Sequence, residues 1–191
     1  MSPTRASQLP SLSTNRGLRQ FLMKTLNVPK FRGVFACDLM PVLKPGESAI
    51  LNTDPHTLPG RHYICLRRIN KNQYELFDSL SADLSTMFPL LTQELKRRDI
   101  YHKIRKVNTS PIQHYNSHMC GLFCVDFILG RAFPTYRDFS HPFQRQTSYN
   151  DVIVISNILH WVTFCLKTIM QDRHDAHKSW NSENKNSFCK W

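Results

Sequence analysis

Two runs of strand-forming residues, 62–69 and 73–77, are separated by only three polar residues, Asn-Lys-Asn. A polar connection this short predicts that the two runs pair antiparallel as a hairpin. Residues 48–51 predict another strand before the hairpin, and residues 103–107 predict one after it. The chain is therefore expected to contain a central, mostly antiparallel sheet.

Apolar residues at helical spacing lie on both sides of these strands. Residues 17–26 predict a short helix, and residues 82–98 predict a longer one with Pro89 in its first turn. Residues 120–129 are strongly apolar and predict a third helix, which ends at Gly130. Strands in the middle of the chain with helices on either side predict an α+β fold.

A last helix is predicted for residues 151–170, with Asp151 as its N-cap. Its apolar run is interrupted by five polar side chains, at Ser156, Asn157, His160, Thr163 and Lys167. These interruptions favour a helix that is buried on one side over a helix that crosses a membrane, so no membrane partner is expected.

The chain has 191 residues, enough for one domain, and its apolar fraction of 41% is sufficient for a core. Residues 1–16 are rich in Ser, Thr and Pro and predict a disordered lead-in. The domain is expected to span residues 17–170, and residues 171–191 predict a polar tail. No internal repeat is present, so a single folded unit is predicted. We expect the protein to be a monomer.

Basic residues outnumber acidic ones by 25 to 14, which gives a formal net charge of +11. This excess is larger than solubility requires and predicts a polyanionic partner such as DNA, contacted through its phosphates. No helix-turn-helix, zinc-finger or RNP pattern occurs, so the binding is expected to be non-specific. The predicted basic surface consists of Arg67, Arg68, Arg97, Arg98, Lys103, Arg105 and Lys106.

Six cysteines are too few for a disulfide scaffold, and none forms a C-x-x-C pair. A metal site could be drawn from His114, His118, Cys120 and Cys124. Their spacing, H-x3-H-x-C-x3-C, fits no zinc module, so no metal is predicted.

Cys120 begins the predicted third helix directly after a polar loop. The positive end of a helix dipole favours an ionised thiol, which is the nucleophilic form of cysteine. His62 stands at the beginning of a strand, with a glycine turn before it, and is the candidate base. The alternative for each residue alone is structural: a core cysteine and an ordinary histidine.

Two further residues complete a candidate catalytic set. Asp78 ends the second strand of the hairpin, where it can lie beside His62 and orient the imidazole. Gln113 lies seven residues before Cys120 and is the candidate donor to an oxyanion. Asp126, on the same predicted helix as Cys120, is the alternative acid.

The order His, Asp, Gln, Cys and the segment 113–124, QHYNSHMCGLFC, resemble the adenovirus protease (adenain) family of cysteine peptidases. The wider clan of that family includes the SUMO-specific proteases. Residues 49–53 followed by Gly60-x-His62 are similar to the stretch that leads to the family's histidine. Residues 76–78 are similar to the stretch that carries its acid, and residues 31–33 followed by Asp38 resemble its N-terminal segment.

This resemblance implies a papain-like cysteine protease fold with rearranged strand order, in which the nucleophile stands at a helix N-terminus. By position, Cys120 is then the nucleophile, His62 the general base and Asp78 the orienting acid, while Gln113 and the Cys120 N–H form the oxyanion hole. The implied activity is that of a viral endopeptidase that cleaves capsid and core precursors during virion maturation. The implied location is the virion and the host cell nucleus.

The resemblance also implies stimulation by DNA, with no cofactor required for the chemistry. Three departures matter: the acid is Asp78 where adenain has Glu, Tyr63 replaces a usual Trp, and no cysteine lies between Cys65 and Cys120. The last departure removes the family's disulfide to an activating viral peptide and leaves a non-covalent peptide as a candidate activator. The alternatives are a protease that deconjugates SUMO- or ubiquitin-like proteins, and a non-enzymatic basic DNA-binding or packaging protein.

Overall fold

The computed structural model describes residues 14–138 and 140–187, with side chains through residue 172. Its centre is one five-stranded sheet whose strands follow each other in chain order. The strands are β1 (Phe31–Ala36), β2 (Ser48–Asn52), β3 (Tyr63–Asn70), β4 (Gln73–Phe77) and β5 (Ile104–Lys106). Helices flank the sheet, which confirms the predicted α+β class.

The sheet is mixed, so the prediction of a mostly antiparallel sheet is wrong. β2, β3 and β4 pair antiparallel, whereas β1 pairs parallel to β2 and β5 pairs parallel to β4. The β4–β5 connection contains two helices, and such a crossover returns the chain in the same direction. β1 was not predicted as a strand, because Arg32 and Gly33 interrupt its apolar alternation.

The predicted hairpin is confirmed: Leu66 lies opposite Leu76, and Cys65 lies opposite Phe77. Both faces of the sheet are covered. Ile50, Cys65 and Phe77 belong to one apolar cluster, and Leu66 and Leu76 belong to a second cluster. The sheet thus lies between two helical layers, which explains why consecutive residues of β3 are buried.

The layer on one side contains two helices where a single one was predicted for residues 82–98. They are α2 (Leu84–Met87), which Asp83 caps by accepting a hydrogen bond from the N–H of Thr86, and α3 (Pro89–Arg97). Phe88 between them has an extended φ of −134°, because a residue before proline avoids the helical conformation. Pro89 occupies the first position of α3, as proline prefers. A 3₁₀ turn, Tyr101–Lys103, then leads into β5.

The other layer begins with α1 (Asn15–Gln20), which continues as a π-helix over Phe21–Thr25. The Thr14 hydroxyl caps α1 by accepting a hydrogen bond of 3.0 Å from the Gly17 N–H. The helix therefore begins two residues before the predicted domain boundary at residue 17. Residues 1–13 of the predicted lead-in lie outside the described residues.

The central helix of this layer, α4 (Cys120–Ala132), does not end at Gly130 as predicted. A Cβ atom at Gly130 would lie 3.7 Å from the Tyr136 ring, which is an ordinary van der Waals contact. Tyr136 belongs to a 3₁₀ segment, Pro134–Asp138, that folds back on α4. Gly130 is therefore an interior residue of the helix, which the sequence pattern did not distinguish from a helix end.

The last helix, α5 (Asn150–Ser187), follows a 3₁₀ turn, Thr147–Tyr149. Asp151 lies inside its first turn and is not the N-cap that was predicted. The Asp151 carboxylate instead accepts a hydrogen bond of 2.8 Å from the Ser117 hydroxyl. The helical backbone also continues through residues 171–187, which were predicted as a polar tail.

One face of the first half of α5 packs in the core through Val154, Ile158 and Trp161, as the sequence predicted. Beyond residue 162 most of the described side chains are exposed. The segment Thr147–Asp172 is long and apolar enough to cross a membrane by length and composition, which differs from the expectation that it is too polar. The three core residues tie this segment to the rest of the domain.

Candidate active site

Cys120 is the first residue of α4, and its side chain lies beside the beginning of β3. The backbone N–H groups of Tyr63 and Gly121 stabilise negative charge on its sulfur. Burial disfavours the thiolate, but the hydrogen bond and charge of His62 together with these two N–H groups lower the pKa of Cys120 below its usual range. The thiol is thus shifted toward its nucleophilic form.

The other described cysteines have the opposite electrostatics. Burial raises the pKa of Cys37 to about 11 and also raises the pKa of Cys65, Cys124 and Cys165. Cys65 and Cys124 are completely buried in the core. Among the cysteines in the described part of the chain, Cys120 is therefore the one with an activated thiol.

His62 is positioned by the turn between β2 and β3. Gly60 has a φ of +85°, and a Cβ atom there would lie 2.0 Å from the Asn52 side-chain nitrogen, so only glycine fits. After this turn the His62 carbonyl accepts a hydrogen bond of 2.9 Å from the Thr53 N–H, which extends the β2–β3 ladder by one step. The imidazole therefore lies at the beginning of β3, on a backbone that the turn and this hydrogen bond hold in place.

Asp78 follows the last residue of β4, at the same end of the hairpin as His62. Its Oδ1 lies 2.7 Å from His62 Nε2, and both side chains are buried. The carboxylate also accepts hydrogen bonds from the N–H groups of Leu80, at 3.0 Å, and Ala82, at 2.9 Å. These three donors fix its orientation, so the hairpin brings together the two residues as the sequence predicted.

The imidazole of His62 lies between two acidic groups. Since Nε2 is bonded to Asp78, Nδ1 is the ring nitrogen that remains for interaction with the Cys120 thiol. Burial opposes the charged ring, but the hydrogen bonds and charges of Asp78 and Cys120 outweigh it and raise the pKa of His62 to about 9. This combination favours a thiolate–imidazolium pair at neutral pH.

Gln113 is buried, and both ends of its side-chain amide are hydrogen-bonded. Its Oε1 accepts a hydrogen bond of 2.5 Å from the Ser79 hydroxyl, and its Nε2 donates one of 2.8 Å to the Ser117 carbonyl. Ser79 is adjacent to Asp78, and Ser117 is three residues before Cys120. An amide group carries two N–H donors, of which Ser117 takes one, so the second can serve an oxyanion.

Two residues of the site were missed by the sequence reasoning. The Phe88 ring stacks on His62 with ring centroids 5.3 Å apart and an angle of 11° between planes. Asn108 donates a hydrogen bond of 2.6 Å to the Asp78 carbonyl and holds the acid's backbone. Both lie in irregular segments between regular elements, where periodicity carries no signal.

Asp126, the alternative acid, lies away from the group formed by His62, Asp78 and Cys120. It accepts hydrogen bonds from the Tyr136 hydroxyl, at 2.6 Å, and from Asn157 Nδ2, at 3.1 Å, and so joins α4 to α5. Burial raises the pKa of Asp126, consistent with a structural role in the core. Within the part of the chain that the structure describes, no three His, Cys, Asp or Glu residues are grouped so as to hold a metal ion.

All seven residues of the predicted basic surface have partners within the protein. Five form ion pairs with carboxylates: Arg67 and Arg105 with Glu75, Arg97 and Arg98 with Glu94, and Lys103 with Asp99. The other two, Arg68 and Lys106, donate hydrogen bonds to the carbonyls of Leu43 and Ala82. The positive charge of this surface is therefore partly balanced.

No protein-family model matches the chain, and comparison with the curated proteins finds no match.

Proposed function

We propose that this protein is a cysteine endopeptidase with a catalytic arrangement of the papain type. One observation carries the proposal: the buried His62 ring is hydrogen-bonded to Asp78, and the same ring lowers the pKa of the Cys120 thiol. A thiol that only filled space in the core would have its pKa raised by burial, as the other described cysteines do. The perturbed pKa values of Cys120 and His62 support the same conclusion.

The proposed reaction proceeds in two halves. The Cys120 thiolate attacks the carbonyl carbon of the scissile bond, and the resulting oxyanion receives hydrogen bonds from the Cys120 N–H and from Gln113 Nε2. The imidazolium of His62 gives its proton to the departing amine, which leaves a thioester on Cys120. Water then attacks the thioester while His62 takes a proton from it, and the acid product and the thiolate are released.

We assign the fold to the papain-like class with rearranged order. Three features support this assignment: the nucleophile begins a buried helix, the base and acid stand on neighbouring strands, and the base precedes the nucleophile in the chain. The proposed protease domain spans residues 17–170. It acts as a monomer, because all members of the triad come from one chain.

The substrates that we propose are viral capsid and core precursor proteins, cleaved in the virion and the host nucleus. This choice depends on the resemblance of residues 113–124 to the adenovirus protease family. A set of Gly-containing peptides and a set of SUMO- and ubiquitin-like substrates should be compared, with Cys120→Ala as the control. Cleavage of the peptides by the wild type alone supports the proposal, and no cleavage of either set by fully folded protein contradicts it.

DNA is proposed as a non-specific activator, in line with the net charge of +11. Arg97 and Arg105 keep most of their surface exposed despite their ion pairs, so both can still contact phosphates. Binding through phosphates must weaken steeply as salt rises. An affinity for duplex DNA that is the same at low and high salt would refute this part of the proposal.

A further inference from the structure

A cavity of about 240 Å³ lies between β2, β3 and the last turn of α4. Its lining includes Lys30, Ser48, Arg67, Ile128 and Arg131, and none of the described residues that line it is acidic. Three cations from separate parts of the chain therefore share one concave space. The cavity lies at the end of α4 opposite Cys120, about 16 Å away along the helix at 1.5 Å per residue.

Two of these cations belong to a cluster built around Glu75, whose side chain is buried. Arg67 Nη1 lies 3.3 Å from Glu75 Oε2, and Arg131 Nη2 lies 3.1 Å from Oε1. Arg105 Nη2 adds a third ion pair, at 2.7 Å from Oε1. One carboxylate can balance only one of three guanidinium groups, so this cluster retains two positive charges before Lys30 is counted.

The cationic groups are held in place before any ligand arrives. The Arg131 guanidinium lies over the Phe127 ring, 5.2 Å from its centroid, and the Lys30 side chain lies across Gly46. Glu47, the acidic residue next to Gly46, is bonded to Arg32 and to the Lys44 N–H, at 3.0 and 2.8 Å. Its carboxylate is thus already engaged by a different cation.

We propose that this cavity, which we call the basic cavity, binds a phosphate-type oxyanion. The Arg67 and Arg131 side chains are 26% and 29% exposed, so their charges are only partly solvated and gain from an anion. Each guanidinium donates to the Glu75 carboxylate through one of its nitrogens. Its remaining N–H donors lie in a planar fork, a geometry that suits the oxygens of a phosphate. The ligand is either a free phosphate compound or a phosphate of a nucleic-acid backbone.

A bound oxyanion would connect α4 to the sheet, because Arg131 is on the helix and Arg67 is on β3. A ligand that binds only the folded chain raises its stability in proportion to the occupancy of the site. Phosphate is therefore expected to raise the melting temperature in a saturable way. This inference does not depend on peptidase activity, so the two proposals can fail separately.

The test is a titration of the full chain with inorganic phosphate at constant ionic strength, followed by calorimetry and thermal unfolding. The variants are Lys30→Gly and Arg131→Gln, and the matched control is Arg61→Gln, an exposed arginine that is paired with a buried carboxylate and lies outside both the basic cavity and the predicted basic surface. We expect one saturable site in the wild type and in the control, and affinity weakened about tenfold or more in both cavity variants. Lys30 has a φ of +59°, which glycine adopts readily, so Lys30→Gly is expected to fold.

Three results would overturn the proposal: no saturable binding to the wild type, unchanged affinity in Lys30→Gly, or equal weakening in Arg61→Gln. Should Arg131→Gln fail to fold, Lys30→Gly decides alone. A parallel titration with a short DNA duplex distinguishes the two sources of phosphate. Loss of duplex binding in Lys30→Gly identifies the nucleic-acid backbone, and loss of phosphate binding alone identifies a free oxyanion.

Discussion

Replacement of His62 by Ala tests the electrostatic coupling on which the proposed mechanism depends. In the structure, burial disfavours the Cys120 thiolate, and the hydrogen bond and charge of His62 overcome this penalty. Without the imidazole, burial becomes the dominant influence on the pKa of Cys120. We therefore expect His62→Ala to raise the pKa of Cys120 above the ordinary value of 9.0, rather than merely restore it.

The size of the effect follows from the ionised fraction. A thiol with a pKa of 9.0 is about 1% ionised at pH 7, since each pH unit changes the ratio tenfold. The wild-type thiol, whose pKa is lowered, has a larger ionised fraction at that pH. Because alkylation by iodoacetamide requires the thiolate, we expect His62→Ala to slow the reaction of Cys120 at pH 7 by about tenfold or more.

The assay is the rate of iodoacetamide labelling, followed for the Cys120 peptide by mass spectrometry so that other cysteines do not contribute. His114→Ala is the matched control, because His114 is close to Cys120 in the sequence and its ring packs against Tyr115 instead. Equal labelling rates in His62→Ala and the wild type would refute the reasoning. So would equal slowing in His114→Ala.

The same coupling predicts a pH dependence. The pKa of His62 is raised from 6.5 to about 9, so its imidazolium is fully present below pH 6.5 and is lost as the pH rises through about 9. At low pH the thiolate is protonated instead. Peptidase activity is therefore expected to show a bell-shaped pH profile that falls near pH 9, whereas labelling of Cys120 should stay high there. Parallel decline of both rates above pH 9 would contradict this prediction.

Three further substitutions are informative. Asp78→Asn should lower kcat/KM less than Cys120→Ala or His62→Ala, because the acid only orients the base; complete loss of turnover in a folded Asp78→Asn variant would contradict this. Gln113→Ala should lower kcat by roughly a hundredfold and leave the labelling rate of Cys120 unchanged, since the amide is assigned to the oxyanion and not to the thiol. Gly60→Ala should lower the melting temperature by several degrees, because its Cβ would collide with the Asn52 side chain, and an unchanged melting temperature would show that this turn relaxes freely.

The hairpin and the helix that begins at Cys120 could be predicted because their signals are local. Alternating apolar residues and a three-residue polar connection define the hairpin, and a polar loop before an apolar run defines the helix start. β1 could not be predicted, because Gly33 interrupts its pattern and its pairing partner β2 lies beyond an intervening segment. The position of Gly130 inside α4 was equally hidden, since an apolar run followed by glycine is also typical of a helix end.

The candidate site divides in the same way. The sequence alone determined which reactive groups the chain carries and their order, His62, Asp78, Gln113 and Cys120. Only the tertiary structure decided that His62, Asp78 and Cys120 meet in one buried cluster. Their meeting depends on the register of β3 with β4 and on how α4 packs against these strands.

The charges provide the clearest contrast between what the sequence determined and what the tertiary structure decided. Composition determined a net charge of +11, and hence an attraction to anions. The tertiary structure decided where that charge is balanced, by placing Glu75 among Arg67, Arg105 and Arg131. Ion pairs form between side chains from different strands and helices, so their geometry is set by the fold and is absent from any local pattern.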